Sequence, residues 1–473
     1  MNDLEVNLDE IFETIENDKD VNLKRLQRYI SQPSISAENN GNYEMCELLV
    51  DEIINIGGSA EINAGVDFPL VFGKMDNGSN KTILIHSMYD TTPHHEEGWL
   101  VDPLEGTCLD YLNFGKCILG RGVKDTKGPI SAVFSMINSY KKSNNKLPMN
   151  FLFIFEASEM SSGSLPNFVQ SEKESLKKAD LVYWPWFTER PNGTGVVWLG
   201  CKGLMNIKLR CKAGDWGGPA NGEVHSFSSA LISNPAQELS LAIASLKNKN
   251  DTEININNFH IRDRDSFEMD NQLIEKLLER LDPKAMLDEC GSLAFKHNSF
   301  EEALKSHVLK PEINVSGISS GYADITSHKA IIPSQAIANL DIRLVDKMTP
   351  KQVIDSIRVH LDKNGLNHVE IIWSEGGYSG GKTHVNNWAA KELINTYKEM
   401  DMNPEIWPRT ATSIAVNLFT EDLNLPWIGT SPGIAGNHHA ANEFLNLDSY
   451  NKSIMFMSRL IYNLGRSINE SRS

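Results

Sequence analysis

Two short runs constrain this chain more than anything else in it. Thr82-Ile83-Leu84-Ile85 and Phe151 to Phe155 are almost wholly apolar, and each gives way at once to residues that carry chemistry. A half-exposed strand alternates polar and apolar residues, whereas a strand apolar on both sides is buried on both faces of a sheet. Such a sheet needs helices over it, and the sequence supplies them. Leu8, Ile11, Phe12 and Ile15, then Leu23, Leu26 and Ile30, fall at helical spacing and predict helix over 5–32, stopped by Pro33. Residues 42–56 predict another helix, closed by Gly57-Gly58. Pro129 stands where a helix should start, and 130–141 keeps helical periodicity. Segment 68–74 and Cys117-Ile118-Leu119 predict further strands, so residues 1–195 read as a mixed or parallel α/β sheet.

The texture changes near residue 199. Leu204 to Arg210 alternates like a half-exposed strand, 226–248 reads as helix, 335–345 as strand, 350–362 as helix and 368–373 as strand. That is a compact α+β module. After Gly376-Gly377 the α/β texture returns, with helices near 387–400 and 448–464, and 249–257 reads as a surface loop. The chain's 473 residues exceed what one core usually serves. The expected organisation is therefore a discontinuous α/β domain, 1–198 and 378–473, carrying an inserted α+β lid at 199–377.

Bulk properties exclude some partners. The net charge of −17 argues against nucleic acid or an anionic membrane, since phosphate binding needs a basic surface. No segment approaches the apolar length of a membrane span. The acidic N-terminal stretch lacks the pattern of a signal peptide, and a cytoplasmic location is expected. Cys46, Cys108, Cys117, Cys201, Cys211 and Cys290 have no CxxC spacing and read as reduced thiols.

Five segments follow apolar strands, where open α/β sheets bind ligands. They are His86 to Pro93, Gly120 to Gly128, Glu156 to Met160, Gly222 to Ser226 and Gly436 to Glu443. A lone His or Asp at a strand end is more often a cap or a surface residue; the joint order of these segments is the informative signal. In that order the chain resembles the M20 family of metallopeptidases and aminoacylases, above all its carnosine-dipeptidase branch. Tyr89-Asp90 and Pro93 match its HYDVQP-like segment, and Trp99 with Asp102-Pro103 matches W…DPF. Gly120 to Gly128 matches GRGxxDxKG, and Glu156 to Ser164 its EGxEExGS-like segment. His225-Ser226 with Asn234-Pro235, Asp341 to Val345 and Gly436 to Glu443 match the lid, DIRLV and GxAHxxNE segments.

The resemblance implies a zinc-peptidase-like catalytic domain, a lid through which two chains form a homodimer, and hydrolysis of a short peptide or N-acyl amino acid. Family chemistry uses two divalent ions, zinc or manganese, bridged by one carboxylate to activate water. By match, Asp125 takes the bridging position and His439 the C-terminal metal ligand. Glu159 takes the general base, Asp90 orients its neighbours, and His225 holds the oxyanion. Arg343 and Ser413 hold the substrate carboxylate, for which the forked guanidinium is suited.

Three positions depart from the pattern. The family His of HYD falls on Met88, the second Glu of its EE pair on Met160, and its later Asp on Pro185 or a flanking Trp. A thioether is a poor ligand for such ions and proline offers none. The chain then keeps one ion or fewer than the family's two. Three readings stay open: an enzyme with one ion; a site rebuilt by His86, His94, His95 or His438; and a metal-independent amide or acyl-transfer enzyme or non-catalytic binding protein on the same fold. Trp184, Trp186 and Phe187 read either as an aromatic substrate wall or as ordinary core. Gly214 to Gly222 lacks the P-loop pattern, and neither Ser226 nor Ser413 sits in a GxSxG elbow.

Overall fold

The computed structural model describes residues 6–157, 163–259, 264–322, 329–373 and 376–467. It divides into two compact units. The first comprises Met1–Gly200, Lys382–Trp407 and Leu418–Ser473; the second comprises Cys201–Gly381 and Pro408–Asn417.

The first unit is built on a mixed sheet whose centre is parallel. Strand Thr82–Met88 runs parallel to Asn150–Glu156 on one side and to Leu181–Glu189 on the other. Leu181–Glu189 is in turn parallel to Trp427–Gly436. Beyond Asn150–Glu156 lie Leu70–Met75 and Ser59–Asn63; beyond Trp427–Gly436 lie Phe444–Asn446, Lys116–Leu119 and Thr107–Asp110, all antiparallel. Parallel strands end together, so Met88, Glu156, Glu189 and Gly436 leave the sheet on one side. The two apolar runs are the buried central strands expected of them, and pairing extends to their ends, Met88 opposite Glu156.

Of the four central strands, Leu181–Glu189 was not predicted. Leu181–Glu189 contains Pro185, which removes a ladder donor and ordinarily argues against a central strand. The sheet accommodates it: pairing with Thr82–Met88 stops at Tyr183, and the register with Trp427–Gly436 shifts between Gly429 and Ser431. Trp184 and Trp186 are buried edge to face at 4.5 Å, with Trp427 5.8 Å from Trp184. These side chains are core packing, not a solvent-facing wall.

Helix Lys127–Lys142 starts two residues before Pro129, whose missing N–H is harmless in the first turn. Tyr140 Oη donates to the Ser458 carbonyl at 2.8 Å, tying it to helix Leu447–Arg466. The helix expected over 5–32 is two, Leu8–Asn17 and Lys19–Ser31, separated at Asp18.

In the second unit, Glu312–Ser320, Gln335–Leu344, Gly200–Lys212 and Val369–Ile372 form an antiparallel sheet in that order. Met205, Ile207, Leu209, Leu340 and Ile342 share its core with Leu239 and Ile357 from helices Pro235–Leu246 and Pro350–Lys363. The helix expected over 226–248 is a 3-10 turn, Ser226–Ala230, followed by Pro235–Leu246. Asn234 accepts from the Ala236 N–H and caps the second piece, with Pro235 just inside it. Helices Arg264–Leu278, Pro283–Glu289 and Phe300–Leu309 were not read from the sequence. The segment Pro408–Asn417 also joins this unit, because Thr410–Ser413 pairs parallel with Gly200–Lys212.

Candidate active site

The loop from Gly120 to Gly128 is held from within by one carboxylate. Glu443, fully buried, accepts from Arg121 Nη1 at 3.0 Å and from the N–H groups of Gly122, Lys124 and Asp125 at 3.1, 2.9 and 3.0 Å. Burial pushes the Glu443 carboxyl up from its ordinary value, and Arg121 pulls it back. Its backbone accepts as well: the Glu443 carbonyl takes a hydrogen bond from the Gly120 N–H at 3.0 Å. The loop also needs Gly128, because a Cβ there would lie 2.0 Å from the Val123 carbonyl oxygen.

This clamp fixes Asp125. The residue is buried, and its Oδ2 lies 3.1 Å from Nε2 of His439, whose side chain is half exposed. The two residues matched to metal-ligand positions thus meet, although one follows Leu119 and the other lies beyond Gly436. Asp90, just past strand Thr82–Met88, is fully buried and accepts from Ser36 Oγ at 2.7 Å. Lys127 is buried nearby and donates to the Gln32 carbonyl. Burial holds its ammonium down to about 7, opposed by Asp90 and Glu443.

Two of the positions that depart from the family pattern, Met88 and Pro185, are occupied by buried side chains. Met88 is buried, and its carbonyl accepts from Thr126 Oγ1. Pro185 is buried within the strand, between Trp184 and Trp186 in sequence. Glu159 and Met160 lie outside the described residues.

The histidines considered as substitute ligands have other partners. His86 Nε2 is 2.7 Å from Glu156 Oε1, with both side chains buried and the imidazole 4.9 Å from the Phe419 ring. His95 pairs with Glu38 at 2.5 Å, and His438 Nδ1 takes a hydrogen bond from Lys124 at 3.0 Å. His94 packs 5.5 Å from the His95 ring, and burial lowers its pKa. Among the described residues, no three His, Cys, Asp or Glu side chains gather to hold a metal.

In the second unit, Arg343 Nη1 donates to Ser413 Oγ at 2.7 Å, and that hydroxyl donates to the Gly203 carbonyl at 3.1 Å. His225 ends the short strand Val224–His225, is exposed, and accepts from the Phe227 N–H at 3.2 Å.

The sequence marks Glu443 and Glu156 only as motif members and assigns neither a role. The signal for Glu156 was its position at the end of an apolar strand beside His86. Nothing local marked Glu443 as the residue that shapes the loop of Asp125.

Comparison with known proteins gives a consistent answer. The family described as Peptidase family M20/M25/M40 matches residues 84–463. A Cys-Gly metallodipeptidase of Schizosaccharomyces pombe is 26% identical over 98% of this chain and 99% of its own length. A Beta-Ala-His dipeptidase of Rattus norvegicus is 22% identical over 94% and 92%. Among solved structures, an M20 family metallo-carboxypeptidase from Sulfolobus solfataricus superposes with a TM-score of 0.81 at 26% identity, covering 94% of this chain and 99% of the other. Human carnosine dipeptidase 1 superposes with a TM-score of 0.74 at 18% identity, covering 98% and 100%.

Proposed function

The chain belongs to peptidase family M20/M25/M40, and from that premise we propose that it hydrolyses the amide bond of a small carboxylate-bearing substrate, a dipeptide or N-acyl amino acid, at a metal site reduced from two ions. The observation that carries this reading is the approach of Asp125 to His439 at 3.1 Å, with the Asp125 N–H pinned by Glu443. Relatives named as Cys-Gly and Beta-Ala-His dipeptidases support the substrate class.

The reduced site is supported by the donors. One solved M20 relative is described as dinuclear. Here Met88 and Pro185 add no donor, and among the described residues nothing of the right type joins Asp125 and His439. That set does not fit a two-ion centre. One divalent ion, zinc or manganese, would be held by Asp125 and His439.

The remaining roles belong to the chain's own side chains. Arg343, already braced by Ser413, holds the substrate carboxylate through its forked donors. Asp90 fixes the strand end, Glu159 takes the proton of the attacking water, and His225 donates to the oxyanion; the last two roles rest on motif order alone. A homodimer and a cytoplasmic location complete the reading. Among the described residues, no helix is long and apolar enough to cross a membrane.

The test pairs metal analysis with kinetics. Purified protein should carry at most one zinc or manganese per chain and hydrolyse Cys-Gly or Beta-Ala-His. Asp125→Ala should remove the ion and lower kcat/KM by about 10²–10⁴, the range of a lost catalytic group. Two ions per chain would refute the reduced site, and full activity in Asp125→Ala would refute the site itself. Activity that survives chelation but falls in Glu159→Gln would favour the metal-independent enzyme.

A further inference from the structure

Burying a charge without a partner is costly, and two cations in the second unit share one face of its sheet without an acid within ion-pairing distance among the described residues. Lys202 is 2% exposed. Register places it: Lys202 is the partner of Ser413 across a parallel pair, and Leu204, two residues on, is the partner of Arg343. Register partners, and residues two apart on a strand, project from the same face. Lys202, Arg343 and Ser413 therefore lie together on the face opposite Met205, Ile207 and Ile342, which belong to the core.

The nearby acids are committed elsewhere. Glu312, register partner of Arg343, pairs with Lys247 and Lys296. Asp346 lies 2.6 Å and Asp270 3.7 Å from Arg409 Nη2. Burial, then Arg409, hold the Lys202 ammonium down to about 7. The strand cannot easily shift to relieve this, since a Cβ at Gly203 would lie 2.1 Å from the Tyr378 carbonyl oxygen. A buried cation pressed against other cations is destabilising unless something anionic arrives.

We propose that Lys202 joins Arg343 and Ser413 in a cradle for two carboxylates, so that the substrates best held end in aspartate or glutamate. The inference rests on the reading of Arg343 and Ser413 as the substrate-carboxylate site. The guanidinium takes one carboxylate through two donors, and the ammonium takes the other as a point charge. A substrate with a single carboxylate leaves Lys202 uncompensated.

Calorimetric titration of the full chain with glutarate and with butyrate tests the cradle apart from catalysis. Glutarate should bind on the order of tenfold more tightly, the scale of one charged hydrogen bond. Lys202→Met should bring the ratio close to one, Lys202→Arg should keep it, and Arg343→Met should weaken both ligands. The ligand-free Lys202→Met protein should also melt higher than the parent, because an uncompensated buried charge is gone; this shows that the variant folds. Equal affinities in the parent, or a ratio unchanged in Lys202→Met, would overturn the cradle. Turnover of Ala-Asp against Ala-Asn carries the same preference into catalysis. Glutarate preference without turnover of any dipeptide would support the cradle and count against the proposed hydrolysis.

Discussion

Glu443 and Lys202 are both buried charges, and they differ in what surrounds them. Glu443 accepts from Arg121 and three backbone N–H groups, so its charge is matched where it lies. Glu443→Ala would take from Arg121 its buried partner, leaving it Glu96, and free the loop of Asp125. Breaking such a pair costs about 3–5 kcal/mol, to be read as a fall in the urea midpoint. Lys202 has Arg409, Arg343 and Lys296 acting on it, opposed by Glu312. Its folded pKa of about 7 lies below its ordinary 10.5, so between those values the unfolded chain binds more protons. The Lys202 penalty is full below about 7 and vanishes as pH rises toward 10.5. Melting curves of parent and Lys202→Met should therefore converge as pH is raised from 7 to 10. A gap that stays constant would mean that Lys202 titrates as it does in water.

At the level of elements, the central strands are joined by more than their ladder. His86 and Glu156 meet at 2.7 Å across the parallel pair Thr82–Met88 and Asn150–Glu156. Among the described residues, His86 Nδ1 and Glu156 Oε2 are buried without hydrogen-bond partners. His86→Ala would strand a buried carboxylate and should destabilise the protein by about 3–5 kcal/mol. His86→Leu with Glu156→Leu should cost far less than the two single changes added together, as a denaturation cycle would show. The same strands show what periodicity can reveal. Phe151 to Phe155 announced itself as a buried strand, whereas Leu181–Glu189 was hidden by Pro185, and only its bulged register makes that proline tolerable.

At the scale of the whole molecule, each unit has a hydrophobic core of its own. Chains of this kind commonly unfold in more than one step. Calorimetry should give a total enthalpy larger than the van't Hoff enthalpy, and the ligand-free Lys202→Met change should move the step that belongs to the second unit. A single transition with equal enthalpies, shifted as a whole, would show the units to be one cooperative block. Chain length and the change of texture near residue 199 led to the expectation of an insert at 199–377, but no feature of Pro408–Asn417 signals its place in the second unit, and that placement brings Ser413 to Arg343.

The order of motifs and the two apolar runs were enough to name the fold and to pair Asp125 with His439, because strand patterning states which residues are buried and motif order states which turns face the same side. The sequence could not say that Glu443 would fill the loop of Asp125, that Glu156 would engage His86, or that Lys202 would lie beside Arg343. Those outcomes depend on register between segments far apart in the chain, and register is decided by packing around a finished core, where moving a strand by one residue sends every side chain to the opposite face.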